Sequence, residues 1–440
     1  MTYLLGLLII MFTASDVFAL DLSLGPGVSV KNAMLNLIAL VLIIRIVLRR
    51  SFKLEVPTIV FSFAAMFIYA LISIFVASMV IEYPHYKLTG SAISLKQEAL
   101  DPALMLLTFF YGTRTFNEAK VLTKLLLGAF TFASIITVTN VYGLTHVGNI
   151  IYGYNNLYEA NRVYGFFGHA NETGVLIVLL LPAYVAVAMT SRGVIRFAWI
   201  SAMMISVVVL IMTGSRGAIA GMALGGLIAA FMCRKYLTPA RLLQGALVLA
   251  LIGLPIIAVL GAKYGGEMVH RIISQATSAD ADDVSSGRLG LWATAIGRMM
   301  ETPISLISGF GWNVYDSMGF KLIPHNHYIM LWFELGLVGL GAYLLVMRTL
   351  IHNAMVGLKT ATPEMRCYLV GFVYSLMILS TAIIFEQLFE PWLYIWPYAG
   401  LTLRIAVLAR NLSPAADSIA LPVATGGERP ALRPRVATLN

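Results

Sequence analysis

Long apolar runs constrain this chain more than any other feature. A helix crosses the hydrocarbon of a bilayer with about 20 apolar residues. The sequence offers such runs at roughly 3–20, 32–49, 57–80, 101–115, 121–141, 172–191, 196–213, 217–233, 241–262, 326–349, 367–388 and 391–409. They are too long for the alternating strands of a membrane barrel. The expected fold is an all-α polytopic membrane protein of about 12 transmembrane helices. Composition points the same way: hydrophobic residues make up 59% of the chain and charged residues 12%, against roughly 25% charged in soluble domains. Such a chain cannot cover itself in water. Soluble α/β enzymes, disordered chains and disulfide scaffolds are excluded.

The formal net charge is +9, but the basic residues sit in short clusters between apolar runs, which is how membrane topology is encoded rather than how nucleic acid is gripped. Arg45, Arg49, Arg50 and Lys53 fall on one side, with Arg114, Lys120, Lys124, Arg192, Arg196, Arg234, Lys235, Arg241, Arg348, Lys359 and Arg366. The other side carries Lys31, Lys87, Lys96, Arg162 and Arg216 in its shorter loops. The richer side is expected to be cytoplasmic, as are both termini. Cys233 and Cys367 then lie on the cytoplasmic side, where free thiols persist. No Lys or Arg precedes the first apolar run, so it is read as a membrane helix rather than a signal peptide. The expected division is a transmembrane domain over 1–410, with a periplasmic loop at 263–325, and a Pro/Ala/Arg-rich cytoplasmic tail at 411–440 without packed structure.

Polar exceptions mark the candidate chemistry. In the long loop, Leu289, Trp292, Ile296 and Met299 recur at helical spacing before Pro303. They predict an amphipathic helix from about Gly287, capped by Asp282–Ser286, that lies on the membrane or lids a cavity. Its first turn carries Arg288. A helix N-terminus with an arginine suits an anion; an exposed loop arginine is the plainer reading. Thr213-Gly214-Ser215-Arg216-Gly217 is a tight turn whose arginine stands where the topology rule disfavours it. It is either a snorkelling side chain or half of a phosphate site. Pro324-His325-Asn326-His327 opens an apolar helix containing Gly336 and Gly339. The spacing of His325 and Gly336 is close to three helical turns, so they are expected to share a face, with the glycines admitting a neighbouring helix. His325 is then either an interfacial cap or a general base for an acceptor hydroxyl. Supporting candidates are Asn326, Arg162 (with Gly165, His169, Asn171 and Glu172), and the pair Glu386 and Glu390 one turn apart before Pro391. Either glutamate orients His325 or neutralises an arginine. Asp280, Asp282 and Asp283 are read as a solvated cap in preference to a cation site, and no metal is expected.

The H-N-x9-G-x-x-G pattern at His325, Asn326, Gly336 and Gly339 resembles the signature of bacterial O-antigen ligases. Gly309-Phe310-Gly311-Trp312 resembles the G-x-G-[WF] of the same superfamily, which also contains O-antigen and exopolysaccharide polymerases. Ser286-Gly287-Arg288 followed by Trp292, and the turn at 214–217, fit as well; the likeness is best over 155–345. The resemblance implies a GT-C-type, metal-independent, inverting glycosyltransferase without a cofactor, acting at the periplasmic face of the bacterial inner membrane. Its donor would be an undecaprenyl-diphosphate-linked glycan. Its acceptor would be lipid A–core for a ligase, or a second lipid-linked glycan for a polymerase. Carried over, His325 would assist deprotonation of the acceptor hydroxyl, and Arg216 and Arg288 would hold the diphosphate. The intact His-Asn-Gly-Gly signature favours ligation. A reading of another class remains: a non-catalytic transporter or flippase of lipid-linked sugar, which needs the arginines but not His325. Nucleic acid is not an expected partner; membrane lipids are.

Overall fold

The computed structural model describes residues 1–20, 22–48, 54–147, 163–165, 169–236, 287–320, 322–387 and 392–412. Its helices are α1 (Thr2–Phe18), α2 (Val30–Leu48), α3 (Pro57–Met79), α4 (Leu88–Leu95), α5 (Asp101–Gly112), α6 (Phe116–Val141) and α7 (Ala170–Thr190). There follow α8 (Gly193–Thr213), α9 (Arg216–Cys233), α10 (Arg288–Glu301), the short α11 (Ser305–Ser308), α12 (His327–Gly357), α13 (Pro363–Ala382) and α14 (Trp392–Arg410). Among the described residues the strands form one small hairpin, Ser23–Gly25 against Val28–Ser29. Among the described residues, eight helices are long and apolar enough to cross a membrane. The chain is therefore an all-α, multi-pass membrane protein. Every expected span on described residues falls on a helix; 241–262 lies outside them.

Three differences from the sequence expectation matter for the site. The fourth span, expected at 101–115, is the second half of a longer helix, because α4 runs into α5 through a π-helical turn at Lys96–Leu100. That turn is too charged to read as a span, and its charges are partly settled locally: Lys96 Nζ lies 2.8 Å from Asp101 Oδ2. Secondly, α13 ends at Ala382, six residues before the expected limit, so Glu386 stands in the turn beyond the helix. Thirdly, α12 starts at His327, with His325 outside it in a left-handed conformation (φ 46°). The expected shared face of His325 and Gly336 does not exist.

The helix also breaks at Gly336, whose φ of 61° and ψ of −166° belong to a region essentially reserved for glycine. Here the neighbour admitted is not a helix but the chain after α11. Phe310 N donates to Phe333 O and Gly311 N to Glu334 O, both at 2.9 Å. Gly309 and Gly336 meet backbone to backbone; a Cβ on Gly336 would collide with Ile307 O, and one on Gly309 with Glu334 O. Irregular backbone inside a membrane protein must find its hydrogen bonds within the protein. The Gly309–Trp312 segment supplies them. Gly339 is small for a local reason, since the break throws the Leu335 side chain across it.

Helices α9 and α13 pack closer than side chains normally permit. A Cβ on Gly221 would lie 2.5 Å from Ala382 Cα, and one on Gly225 2.5 Å from Ile378 Cα. Lipid tails are as apolar as leucine, so close backbone approach and interhelical hydrogen bonds drive association. Thr381 Oγ1 adds one, donating to Gly221 O at 2.7 Å. This contact fixes the first residue of α9, Arg216, against the turn that follows α13.

Candidate functional site

Four segments converge at one end of the bundle. The end of α13 is stitched to the start of α12: His327 N donates to Ile383 O at 3.0 Å, and Tyr328 Oη to Ser380 O at 2.8 Å. Asn326 is the N-cap of α12. Its Oδ1 accepts from Tyr328 N and Ile329 N, each at 3.0 Å, so it holds the helix start just beyond His325. The third segment is α10, which begins at Arg288 after Gly287 in a left-handed conformation. The cap expected from Asp282–Ser286 lies outside the described residues. Trp292 Nε1 donates to Pro324 O at 2.7 Å, tying α10 to the residue preceding His325. Arg288 stands one turn before Trp292 on the same side of the helix. Below α10, Ala295, Met299, Phe310, Val314, Tyr315, Met330 and Phe333 form a small second core, which seats the helix on α12. The fourth segment is the N-terminus of α9, capped by Ser215 Oγ accepting from Ala218 N.

Glu386 joins these parts. It is 2% exposed, and its two oxygens are divided between two partners. Oε1 lies 3.2 Å from His325 Nδ1, and Oε2 lies 3.5 Å from an Arg288 guanidinium nitrogen. The sequence posed orientation of the histidine and neutralisation of an arginine as alternatives; the geometry has one carboxylate doing both. An ionised carboxylate only accepts hydrogen bonds. His325 Nδ1 therefore donates, and the neutral imidazole keeps its unprotonated nitrogen at Nε2. Left-handed backbone at a non-glycine residue costs about 1–3 kcal/mol and persists where its surroundings impose it. At His325 those surroundings are the Asn326 cap, the Trp292–Pro324 bond and Glu386.

Arg288 also reaches α9. Its NH1 would be 3.7 Å from a Cβ built on Gly217, so the guanidinium stands over the first turn of the helix that Arg216 opens. Arg216, Arg288 and His325 thus come to one place, with the positive end of the α9 dipole beside them. The side chain of His325 is 27% exposed and that of Arg288 20%, enough for a ligand to touch both. Arg162, Glu390, Asp280, Asp282 and Asp283 lie outside the described residues. Val163, next to Arg162 in sequence, is held to the end of α8 by a bond from its N to Met212 O at 3.1 Å. Sequence reasoning missed the Trp292 anchor and the Gly221–Gly225 contact. The four-residue glycine spacing in α9 was the signal for the second. Among the described residues, no group of three or more His, Cys, Asp or Glu side chains is arranged to hold a metal.

No curated protein matches the chain. Residues 201–344 match the family described as O-Antigen ligase. That stretch contains Arg216, Arg288, His325 and the four motif glycines of the helix break, while Glu386 lies beyond it.

Proposed function

We propose that this chain, with its O-antigen ligase domain over residues 201–344, moves an undecaprenyl-diphosphate-linked glycan onto an acceptor sugar hydroxyl, and specifically that it ligates O-antigen to lipid A–core. The observation that carries this reading is the bridging of His325 and Arg288 by Glu386. With Nδ1–H committed to Glu386, His325 Nε2 is free to take the acceptor proton. As the new glycosidic bond forms, the bond to the diphosphate breaks and negative charge grows on the leaving group. Arg216, Arg288 and the α9 N-terminus are the positive groups available to receive it. They can do so without a metal ion. Attack from the face opposite the leaving group would invert the anomeric centre. On this reading the site faces the periplasm from the inner membrane, in a GT-C-type arrangement, and both termini are cytoplasmic.

The direct test is transfer by purified protein from a lipid-linked donor to an acceptor. His325→Ala is expected to lower the rate at least about 100-fold, the usual contribution of a general base, with donor binding retained. Transfer at the wild-type rate would exclude the base assignment. Arg216→Ala and Arg288→Ala are expected to abolish transfer without loss of membrane expression. A wild-type protein that never transfers glycan would favour a transporter. In a deletion strain, lipid-linked polymer that fails to reach lipid A–core marks a ligase, and accumulated single repeats mark a polymerase.

A further inference from the structure

Behind the His325 cluster is a second polar place that the transfer chemistry leaves unused. A cavity of about 40 Å³ is lined by Glu98 from the π-helical turn, Glu334 and His327 from α12, Gln387 from the turn after α13, and Ser94 and Asn313. The rest of its wall is aromatic and aliphatic, from α3, α12, α14 and Trp312 in the loop after α11. A water needs about 10–15 Å³ of such space. The cavity therefore has room for a few waters. It adjoins the proposed active site through the chain itself: Gln387 follows Glu386, and His327 stands two residues from His325.

Two carboxyls share this space without a cation. Ser94 Oγ donates to Glu98 Oε1 at 2.7 Å, and Ser94 in turn accepts from Trp312 Nε1 at 3.1 Å. Among the described residues neither Glu98 nor Glu334 is in an ion pair. The nearby cations are committed elsewhere, Lys96 to Asp101 and Arg288 to Glu386. Gln387, 3% exposed, leaves its Oε1 without a hydrogen-bond partner in the cavity wall. Like charges confined together cannot both ionise cheaply, and an uncompensated carboxylate in a membrane protein is costly. The other titratable groups around the pair are His327 and Tyr343 on α12, Tyr86, and Asp316 in the loop; α3 contributes Phe63 and Met66, which do not titrate.

We propose that Glu98 and Glu334 hold one proton between them and, through cavity water, receive the proton that His325 strips from the acceptor hydroxyl. This rests on the transfer reaction proposed above. The acceptor O–H bond breaks, its oxygen bonds to the anomeric carbon, and the donor C–O bond electrons leave on the diphosphate. The proton passes from the imidazolium to water and then to the unprotonated carboxylate of the pair, which restores His325 as a base. When donor and acceptor cover the site, direct exchange of His325 with bulk water is closed. Glu98, half-buried, and Asn313, exposed, mark the opposite mouth of the cavity, where the proton leaves.

The resting protein and the reaction test this separately. Infrared titration of wild type in lipid is expected to show a carboxylic acid band persisting at pH 7. Glu334→Gln and Glu98→Gln should each change that band, and the double variant should remove it. No such band, or one that the double variant keeps, overturns the proposal, whatever the activity. In transfer assays, Glu334→Gln is expected to lose about tenfold or more in rate, with donor binding unchanged. Glu98→Gln, at the cavity mouth and the milder change, should alter the pH profile of the rate. Wild-type rates with an unchanged pH profile in both also overturn it. A band that behaves as expected in a protein that transfers no glycan refutes the transfer reaction and leaves the proton-holding pair standing.

Discussion

The two glycine-lined contacts that hold the site are built on opposite principles. Between α9 and α13 the glycines lie in regular helix, and only space is at stake: Gly221 and Gly225 let one backbone rest on another at distances no Cβ would permit. In the seam between the α11 loop and α12, Gly309 and Gly336 are also crowded by backbone, but both have positive φ, 71° and 61°. The first contact brings Arg216 to the Glu386 turn. The second breaks α12 and lets the Phe310 and Gly311 N–H groups bond to its carbonyls. Close packing alone tolerates some relaxation, because helices can slide apart. A seam that depends on both space and backbone conformation has no such escape.

Alanine at each kind of position measures that difference. Gly336→Ala is expected to have the largest effect. It adds a Cβ against Ile307 O and forces an L residue into a glycine-only region, at a conformational cost of about 1–3 kcal/mol before any steric term. Loss of the monodisperse folded protein in detergent is the expected readout. Gly225→Ala meets steric crowding alone, for which overpacking costs about 1–3 kcal/mol. It should fold with a lowered Tm and weakened transfer, since Arg216 rides on the shifted helix. If Gly225→Ala proves the more damaging, the helix pair rather than the seam is the rigid element.

The same difference decides what could be read from the sequence. Regular helices with apolar length were legible, and the structure brings His325, Arg288 and the α9 turn that carries Arg216 to one end of the bundle. Irregular features were not. The helical period carries no mark of where α12 starts or breaks, so spacing alone puts His325 in a helical register it does not have. The apolar run puts Glu386 at the end of a span, whereas the helix ends at Ala382. Glu98 carries no local mark: Lys96 and Asp101 flank it and make the segment look like a polar loop, although those two residues pair with each other. Gln387 is one amide in an apolar stretch, and nothing local distinguishes a buried amide with an unpartnered oxygen from an exposed one. Contacts between distant segments, such as Trp292 with Pro324, have no sequence signature at all.

The smallest expected effect belongs to that last contact, and it sharpens the comparison by loosening one support without touching either glycine interface. Trp292→Phe keeps an aromatic side chain on α10 but removes the Nε1–H that bonds to Pro324 O at 2.7 Å. Pro324 is buried, so its carbonyl loses a partner it cannot readily replace from bulk water. One such hydrogen bond is worth about 0.5–1.5 kcal/mol. The second core around Phe310, Tyr315 and Phe333 still seats α10 on α12, so Tm should fall by only a few degrees. Transfer should fall further than stability, by about fivefold, because Pro324 adjoins His325 and Trp292 lies one turn from Arg288. The two sides of the Glu386 bridge would then be held with more freedom. A loss of Tm with transfer unchanged would mean that the α9–α13 contact and Glu386 align the site by themselves, and that the α10 anchor serves folding alone.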